Sequence, residues 1–396
     1  MEDRPLKFLF HHRIASRDGQ SVHMDELINA LRQIGHEVVI VGPNRTENTE
    51  FGSEAGFIDK LKKILPQSIY ELLEFGYNLK AMLRLYKAIK KEKPDIIYER
   101  YNLYFLAGVW LKKRFNLKLL LEVNSPLFEE RLKNDGIGIK SLAYWTEKKV
   151  WKKADVILPV TDVLADYGRK IGIPEDKIKV IPNGINYERF SAIEDTESAK
   201  EPFKLENQLV LGFIGFIRSW HKLDQIIAEL PNLNKTQKVH LLIVGDGPAK
   251  EELLECAKKH NIESQVTITG IVDRDSVAKY VAAFDIALQP GVTSYASPLK
   301  LFEYMAMQRA IIAPDTPNIR EVLTDKVDSV LFDPNQEKAF INTIVNLCEN
   351  SELRNKIGGN AAKTIKEKPF TWLHNAETVV ELSQNLIQRK FNNLQT

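Results

Sequence analysis

The residues best suited to chemistry lie in the segment SPLKLFEYMA at positions 297–306. Pro298 is favoured in the first turn of a helix, so the segment predicts a helix that begins there. The first turn would present backbone N–H groups and Lys300 to an anion. Glu303 follows one turn later on a neighbouring face, where its carboxylate could accept both hydroxyls of a ribose. A plain solvent-exposed Lys300–Glu303 pair is the alternative.

A second segment, GFIGFIRSWHK at positions 212–222, gathers basic side chains after an apolar run. Arg218, His221 and Lys222 would meet at the end of one strand. Charge-assisted donors of this kind suit a diphosphate, because hydrogen bonds between ionised groups are short and strong. Trp220 in the same segment could contact a ligand or could simply cap a hydrophobic core.

Two more loops precede predicted helices. The first runs from His11 to His23 and contains Gly19, which would open the backbone N–H groups of a helix start to an anion. Taken alone, this loop favours an ordinary helix cap. The second is VGDGP at 244–248, whose glycines are explained as readily by turn geometry as by the approach of a ligand.

All of these loops follow short apolar runs that alternate with amphipathic helical segments near 22–34, 70–92, 141–153 and 162–171. Alternation of this kind predicts right-handed βαβ units and parallel sheets, whose ligands bind beyond the carboxyl ends of the strands. Twelve strands exceed one comfortable open sheet, so two sheets in two domains are expected. The predicted strands are 7–10, 37–41, 95–98, 118–123, 155–159, 179–181, 209–214, 240–244, 265–269, 285–289, 310–313 and 329–332.

The domain boundary is predicted from a polar, acidic stretch without clear periodicity at 191–207. We expect a first Rossmann-like domain over 1–190 and a second over 208–370. A final helix within 371–396 follows Pro369 and is expected to pack back on the first domain.

Composition excludes several classes of protein. The chain has 396 residues, 44% hydrophobic and 27% charged, with a net charge of +2, which is typical of a soluble globular protein and gives no reason to expect nucleic-acid binding. Its longest mostly apolar stretch, 101–111, is too short to cross a bilayer, and no secretory signal is visible. Cys256 and Cys348 give neither a disulfide framework nor metal-ligand spacing, so a cytoplasmic location is expected.

Residues 59–93 carry nine basic and four acidic residues interleaved with leucines. The pattern suits a helix on the inner, anionic face of a membrane, as in a peripheral membrane protein. A solvated helix with its other face on the sheet explains the pattern equally well. The basic residues concerned include Lys60, Lys62, Lys63, Lys80, Arg84 and Lys87.

Together, RDGQSVH (17–23), IPNGIN (181–186), VGDGP and SPLKLFEYMA resemble the large retaining GT-B glycosyltransferase family (glycosyltransferase group 1) in order and spacing. The resemblance covers nearly the whole chain. It implies an α/β protein of two Rossmann-like domains that face each other across a cleft. It also implies transfer of a sugar from a nucleoside-diphosphate donor, held mainly by the C-terminal domain, to a hydroxyl acceptor on the N-terminal domain. That acceptor could be a glycan, a lipid-linked sugar or a small molecule.

The family's residues carry over in part. Glu303 matches the second of two family glutamates eight positions apart, but Tyr295 replaces the first. Asn124 stands where the family often has a histidine. Phe216 and His221 replace the Arg and Lys that bind the diphosphate in the family. The resemblance therefore implies catalytic-site positions at Asn124, Tyr295 and Arg218. Donor contacts are expected from Gly19, Arg218, His221, Lys222, Gly245, Ile271, Ser297, Leu299, Lys300 and Glu303. His23, Arg100 and Glu122 are expected on the acceptor side.

No cofactor is expected, since the sugar nucleotide is a substrate and GT-B enzymes neutralise the leaving diphosphate with basic side chains and helix N-termini. Asp273–Arg274–Asp275 has the DxD pattern of metal-dependent glycosyltransferases of another fold. We interpret Asp275 as the N-cap of a helix at 276–283 instead and expect no metal site.

Two other functions remain open. The replacements at Tyr295, Asn124 and Phe216 are compatible with a sugar-nucleotide-binding partner subunit that has no transferase activity. A GT-B epimerase that isomerises the sugar nucleotide is the other alternative.

Overall fold

The computed structural model describes residues 4–14, 19–43, 65–190 and 195–395, with side chains up to 390. The chain forms two compact units: Met1–Pro182 with Trp372–Thr396, and Asn183–Thr371. Each unit contains one parallel sheet covered by helices, which confirms the predicted α/β class with two Rossmann-like domains.

The first unit has a five-stranded sheet in the order β2-β1-β3-β4-β5. Strands β3 and β4 are buried along almost their whole length, because helices cover both faces of a parallel sheet. The strands are β1 Lys7–His11, β2 Glu37–Val41, β3 Ile96–Arg100, β4 Lys118–Val123 and β5 Val156–Pro159. The helices before residue 183 are α1 Gly19–Gln33, α2 Gln67–Glu92, α3 Ala107–Phe115, α4 Leu127–Asn134, α5 Lys140–Lys153 and α6 Asp162–Lys170.

The second unit has a six-stranded sheet in the order β11-β10-β9-β6-β7-β8. The strands are β6 Leu209–Ile214, β7 Val239–Val244, β8 Val266–Ile268, β9 Ile286–Leu288, β10 Ala310–Pro314 and β11 Val330–Phe332. The helices are α7 Tyr187–Phe190, α8 Thr196–Lys200, α9 Leu223–Leu233, α10 Lys250–Lys259, α11 Val277–Ala282, α12 Leu299–Ala306, α13 Pro317–Arg320, α14 Ala339–Glu349 and α15 Ser351–Glu367.

The last helix, α16 Trp372–Gln395, belongs to the first unit, where it packs against α1 and β4. Its Ala376, Val379 and Ser383 are buried at helical spacing. The first unit is therefore made from both ends of the chain.

Three assignments differ from the predictions. Residues 183–190, predicted in the first domain, and residues 195–207, assigned to a connection, belong to the second unit, where Phe190, Ala199 and Leu205 are buried in the core. Residues 179–181 form no regular strand; the backbone N–H groups of Lys179 and Ile181 donate to β5 at Ile157 and Pro159, and Pro182 ends the pairing.

In the described part of the chain, no helix is both long and apolar enough to cross a membrane.

Candidate functional site

Helix α12 is fixed at the carboxyl ends of two strands by Tyr304. The fully buried phenol accepts a hydrogen bond from Ile214 N at 3.0 Å and lies 3.4 Å from Leu288 O. These atoms belong to the ends of β6 and β9, so the start of α12 lies where ligands bind in parallel sheets. Lys300 and Glu303 are positioned there by the packing of the same helix.

Two buried asparagines hold the loop that precedes α12. Asn183 donates from Nδ2 to Ser297 O at 2.5 Å, and its backbone N–H donates to Ser297 Oγ at 3.2 Å. Asn318 Nδ2 donates to Thr293 O at 3.1 Å and to Ala296 O at 2.7 Å. From the sequence, Asn183 is recognisable only as part of the IPNGIN motif, and no pattern marks Asn318, whose buried amide fixes the loop by donating to two carbonyls.

Lys300 turns back onto the loop after β6. Its Nζ lies 3.9 Å from the centroid of the Phe213 ring, and a Cβ added at Gly215 would lie 3.1 Å from it. Burial lowers the pKa of Lys300 to about 7, although the charge of Glu303 opposes the shift. A partly desolvated ammonium beside a glycine backbone is a favourable partner for an incoming phosphate.

In the basic segment after β6, the structure excludes one of the two alternatives for Trp220 and differs from the predicted role of His221. Trp220 is 57% exposed and therefore does not cap a core, and the Arg218 guanidinium lies over the Trp220 and Phe216 rings at 5.1 and 4.6 Å. His221 is buried, and burial together with the charges of Lys300 and Arg218 lowers its pKa to about 3. Its neutral ring accepts a hydrogen bond from Arg218 N at 3.2 Å, so it shapes the loop and adds no positive charge at neutral pH.

The glycines of VGDGP pack two loops together. A Cβ at Gly245, whose φ is +142°, would overlap Gly215 O, and a Cβ at Gly247 would overlap the backbone of Ile217. Close packing of the two loops accounts for both glycines, an explanation that differs from the turn geometry and the ligand approach considered from the sequence. The donor-contact role predicted for Gly245 gains no support from this geometry.

In the first unit, the residues expected on the acceptor side converge on one carboxylate. Glu122, 2% exposed, accepts hydrogen bonds from Tyr98 Oη at 2.8 Å, Arg100 at 2.5 Å and Asn124 Nδ2 at 2.6 Å, and His23 Nε2 lies 3.2 Å away. Burial disfavours its ionisation, but the charges of His23 and Arg100 and the hydrogen bonds of His23 and Asn124 hold its pKa well below the usual range.

The cavity beside this cluster is small. Its volume is about 10 Å³, room for no more than one water molecule, and its lining includes His23, Tyr98, Glu122, Trp372 and Asn375. Glu122 therefore serves as a hub that orients Arg100 and Asn124, and it is not open to a large ligand.

His11 and Glu99 form a buried pair that was not predicted from the sequence. His11 Nδ1 lies 2.7 Å from Glu99 Oε2, and both side chains are almost completely buried. The strand register places His11 of β1 beside Glu99 of β3 at the carboxyl edge of the sheet. Strand pairing was the signal that could have found them, since two predicted parallel strands bring their final residues together.

Both aspartates of the DxD pattern contact neighbouring side chains or backbone. Asp273 accepts from Ser276 N at 3.0 Å and Ser276 Oγ at 2.6 Å, while Asp275 lies 3.3 Å from Arg189 Nε. The predicted cap at Asp275 is therefore wrong, because Asp273 stabilises the start of α11. Among the described residues, no cluster of three or more His, Cys, Asp or Glu side chains is placed to hold a metal ion.

Comparison with protein families decides the identity of the chain. Residues 208–350 match the family model described as Glycosyl transferases group 1, and residues 17–189 match that of Glycosyltransferase Family 4. The chain is a group 1 glycosyltransferase. A relative, an uncharacterized glycosyltransferase of Methanocaldococcus jannaschii, is 24% identical over 93% of this chain and 95% of its own.

Solved structures confirm that this glycosyltransferase has the GT-B fold. Sucrose-phosphate synthase of Thermosynechococcus elongatus matches with a TM-score of 0.76 at 17% identity, over 97% of this chain and 100% of its own. HepE of Anabaena, solved in complex with UDP and glucose, matches with a TM-score of 0.71 at 16% identity, over 96% of this chain and 100% of its own.

The other predicted site residues of the glycosyltransferase lie as follows. Ser297 is buried, and Tyr295, Leu299 and Glu303 are partly buried near the start of α12. Lys222 is exposed at the end of the segment that contains Arg218, and Ile271 is 57% exposed in the loop after β8. These residues all belong to the second unit, whereas Gly19 begins α1 of the first.

Proposed function

We propose that the protein is a retaining, metal-independent glycosyltransferase that moves a sugar from a nucleoside-diphosphate donor to a hydroxyl acceptor. The observation that carries the proposal is the position of Lys300, directed by α12 onto Gly215 and Phe213 at the end of β6. A helix start, a glycine backbone and a lysine meet there, which is the combination that binds a diphosphate.

Glu303, one turn further along α12, would accept the ribose hydroxyls, and Arg218 and Lys222 would add charge beside the phosphates. The exposed Ile271 would contact the base. HepE, which shares the fold, binds UDP, so uridine nucleotides are the first donors to test.

In the proposed step the acceptor oxygen attacks the anomeric carbon on the face from which the diphosphate leaves. The bond from that carbon to the phosphate oxygen breaks as the new glycosidic bond forms, and the acceptor proton passes to the leaving phosphate. No covalent intermediate is needed, so Tyr295 in place of a glutamate is compatible with turnover. Lys300, Arg218 and the N–H groups of α12 would stabilise the charge that develops on the diphosphate.

The metal-independent part of the proposal rests on the two aspartates of the DxD pattern. Asp273 accepts hydrogen bonds from Ser276, and Asp275 pairs with Arg189, so both carboxylates have protein partners that a metal ion would have to displace.

The proposal predicts that sugar nucleotides stabilise the protein in the presence of excess EDTA. A donor at one hundred times its dissociation constant adds about 2.7 kcal/mol of stability, a clear shift in a thermal-denaturation panel of UDP-, GDP- and ADP-sugars. Transfer or slow donor hydrolysis should continue in EDTA. Loss of both signals, restored only by Mn²⁺ or Mg²⁺, would contradict metal independence. Binding without transfer or hydrolysis would favour the partner-subunit alternative, and isomerised donor without an acceptor would favour an epimerase.

Replacement of Glu303 with Ala should weaken binding of the nucleoside and of its diphosphate equally, by about 1.5–3 kcal/mol, because hydrogen bonds from the ribose to a charged group are lost. Titration calorimetry with both ligands measures the effect, and Glu303→Gln, which keeps an acceptor oxygen, should lose less. An unchanged dissociation constant in a folded Glu303→Ala variant would remove this carboxylate from the site.

A further inference from the structure

Helices α2, α3 and α5 lie side by side on the first unit. Helix α2 packs against α3, and Lys112 Nζ of α3 donates to Lys153 O at the end of α5 at 2.8 Å. Glu71 of α2 accepts the backbone N–H groups of Gly138 and Ile139, just before α5 begins, at 2.8 and 2.7 Å. The three helices therefore form one connected layer.

Helix α2 has two sharply different sides. Its buried side is formed by Glu71, Asn78, Ala81, Leu85 and Ile89. At about 100° per residue, its exposed positions from Ile69 onward fall on the opposite side of the helix. We call this side the outer stripe; its exposed residues are Ile69, Leu72, Leu73, Gly76, Leu79, Lys80, Leu83, Arg84, Lys87, Lys90 and Lys91.

The first half of the outer stripe is apolar. Ile69, Leu72, Leu73, Leu79 and Leu83 are all about half exposed or more, up to 64% for Leu79. Single exposed apolar side chains are ordinary, but four leucines and one isoleucine in one stripe mark an interaction surface.

The second half of the outer stripe is basic, and the charge pattern extends across the layer. Of the four acidic residues in the three helices, Glu71 and Glu147 are buried and Glu74 and Glu92 are only partly exposed. Every charged residue of α2, α3 and α5 that is exposed is therefore positive: Lys80, Arg84, Lys87, Lys90, Lys91, Lys113, Arg114, Lys140, Lys149, Lys152 and Lys153.

Exposed aromatic side chains accompany these charges. Tyr144 and Trp145 of α5 are 43% and 46% exposed, with Lys148 Nζ and Lys149 Nζ 5.5 and 5.7 Å from their respective ring centroids. Trp110 of α3 is exposed as well. Tyr and Trp beside Lys are typical of the interface between water and lipid headgroups.

We infer that the layer formed by α2, α3 and α5 docks on an anionic lipid bilayer. The leucines of the outer stripe would enter the boundary between headgroups and acyl chains, and the surrounding lysines and arginines would bind the lipid phosphates. Of the two interpretations of this stretch, a solvated helix explains neither the exposed apolar side chains of α2 nor the absence of exposed acids among the described residues of α2, α3 and α5, although the neighbouring α4 carries the exposed Glu129. Lys60, Lys62 and Lys63 lie outside the described residues, so the inference rests on α2 itself. It goes beyond the proposed glycosyl transfer and does not depend on it.

Flotation with phosphatidylglycerol and phosphatidylcholine vesicles tests the inference on the full-length chain. The wild-type protein should bind phosphatidylglycerol vesicles, and binding should weaken as salt rises because exposed charges are screened. The triple variant Lys80→Glu, Arg84→Glu, Lys87→Glu should lose about 100-fold or more in partitioning, since each basic residue near such a surface contributes about fivefold. The apolar variant Leu72→Ser, Leu79→Ser, Leu83→Ser should lose at least about tenfold, because the side chains replaced are exposed in the free protein and buried only on binding.

The matched control is Lys356→Glu, Lys363→Glu, Lys366→Glu, which reverses three exposed lysines of α15 in the other unit. This control should bind vesicles as the wild type does, apart from a small effect of its changed net charge. All variants should keep the wild-type melting temperature and the wild-type rise in melting temperature on adding nucleotide. Three results would overturn the inference. The wild-type chain could fail to bind phosphatidylglycerol vesicles at low salt, or the α2 and α15 triple variants could lose vesicle binding equally. The third is a wild-type dimer that the leucine variant converts to a monomer. A failed nucleotide shift with intact vesicle binding would count against the proposed function alone.

Discussion

The variant Lys300→Met is expected to lower kcat/KM for the sugar-nucleotide donor by about 100- to 1,000-fold, the range for removing one donor to a developing negative charge. Lys300 Nζ is held over Phe213 beside Gly215, where a phosphate would complete its desolvated surroundings. Affinity for the nucleoside diphosphate should fall strongly, whereas affinity for the nucleoside alone should stay unchanged. Glu303→Ala should affect both ligands equally, so the two variants separate phosphate contacts from ribose contacts.

The pH dependence of binding gives the same prediction a second readout. Because the pKa of Lys300 is about 7 in the free protein, its ammonium is progressively lost above that pH. Wild-type affinity for the nucleoside diphosphate should therefore decline between pH 7 and 9 by up to about tenfold per unit, and Lys300→Met should remove this decline. A wild-type profile that stays flat over this range would contradict the assignment.

Loss of fold should not explain the Lys300→Met result. Burial lowers the pKa of Lys300 in the folded chain, so the unfolded chain binds more protons between pH 7 and the ordinary lysine pKa near 10.5. The contribution of Lys300 to the free energy of unfolding should thus rise with pH over that window, and the destabilising effect of its buried charge is fully present below it. At pH 7 the methionine variant should melt no lower than the wild type.

The variant Glu122→Ala is expected to reduce the free energy of unfolding of the first unit by about 3–5 kcal/mol. Removing this carboxylate leaves the buried Arg100 without its negative partner and Tyr98 without an acceptor. The midpoint temperature for thermal unfolding of the first unit should fall by roughly 10 °C, at about 2–4 °C per kcal/mol for a domain of this size. Because the folded pKa of Glu122 is depressed, its contribution is present above the ordinary glutamate pKa near 4.5 and is lost as the pH falls through the folded value.

Asp162→Ala in the same unit is the matched control. Asp162 pairs with Arg169 at 2.7 Å on the surface, and exposed pairs of this kind are worth less than about 1 kcal/mol. If Glu122→Ala melted as close to the wild type as Asp162→Ala does, the carboxylate would not be the hub that the hydrogen bonds indicate.

The fold was largely predictable because each sheet is built from short apolar runs separated by amphipathic helices. The helices that were missed show where periodicity fails. The residues just before and within α3, from Leu103 to Val109, are all buried, so no polar face marks a helix there. Helix α4 has no buried residue and therefore no apolar stripe. The segment 179–181 was predicted to be a strand, and it does form two backbone hydrogen bonds with β5, but the pairing is too short to be a regular strand.

The site was predictable only to the level of loops. SPLKLFEYMA and GFIGFIRSWHK were identified because strand ends and helix starts carry recognisable residues. What the sequence could not provide was side-chain state: the neutral ring of His221, the exposure of Trp220 and the lowered pKa of Lys300 all depend on neighbours that only the fold brings together. The same holds for Glu122, whose four partners come from α1, β3 and the end of β4.

The discontinuous first unit has a consequence for how the chain matures. Residues 183–371 form one uninterrupted unit, so during synthesis its last contacts become available before the ribosome has made the helix that the first unit still lacks. Until α16 emerges, the surface of α1 and β4 that it later covers stays open, including the place of Trp372 beside His23. The covering of the first sheet on this face is therefore completed only after residues 372–395 have been synthesised, and a premature stop codon near position 372 would remove part of the core of the first unit.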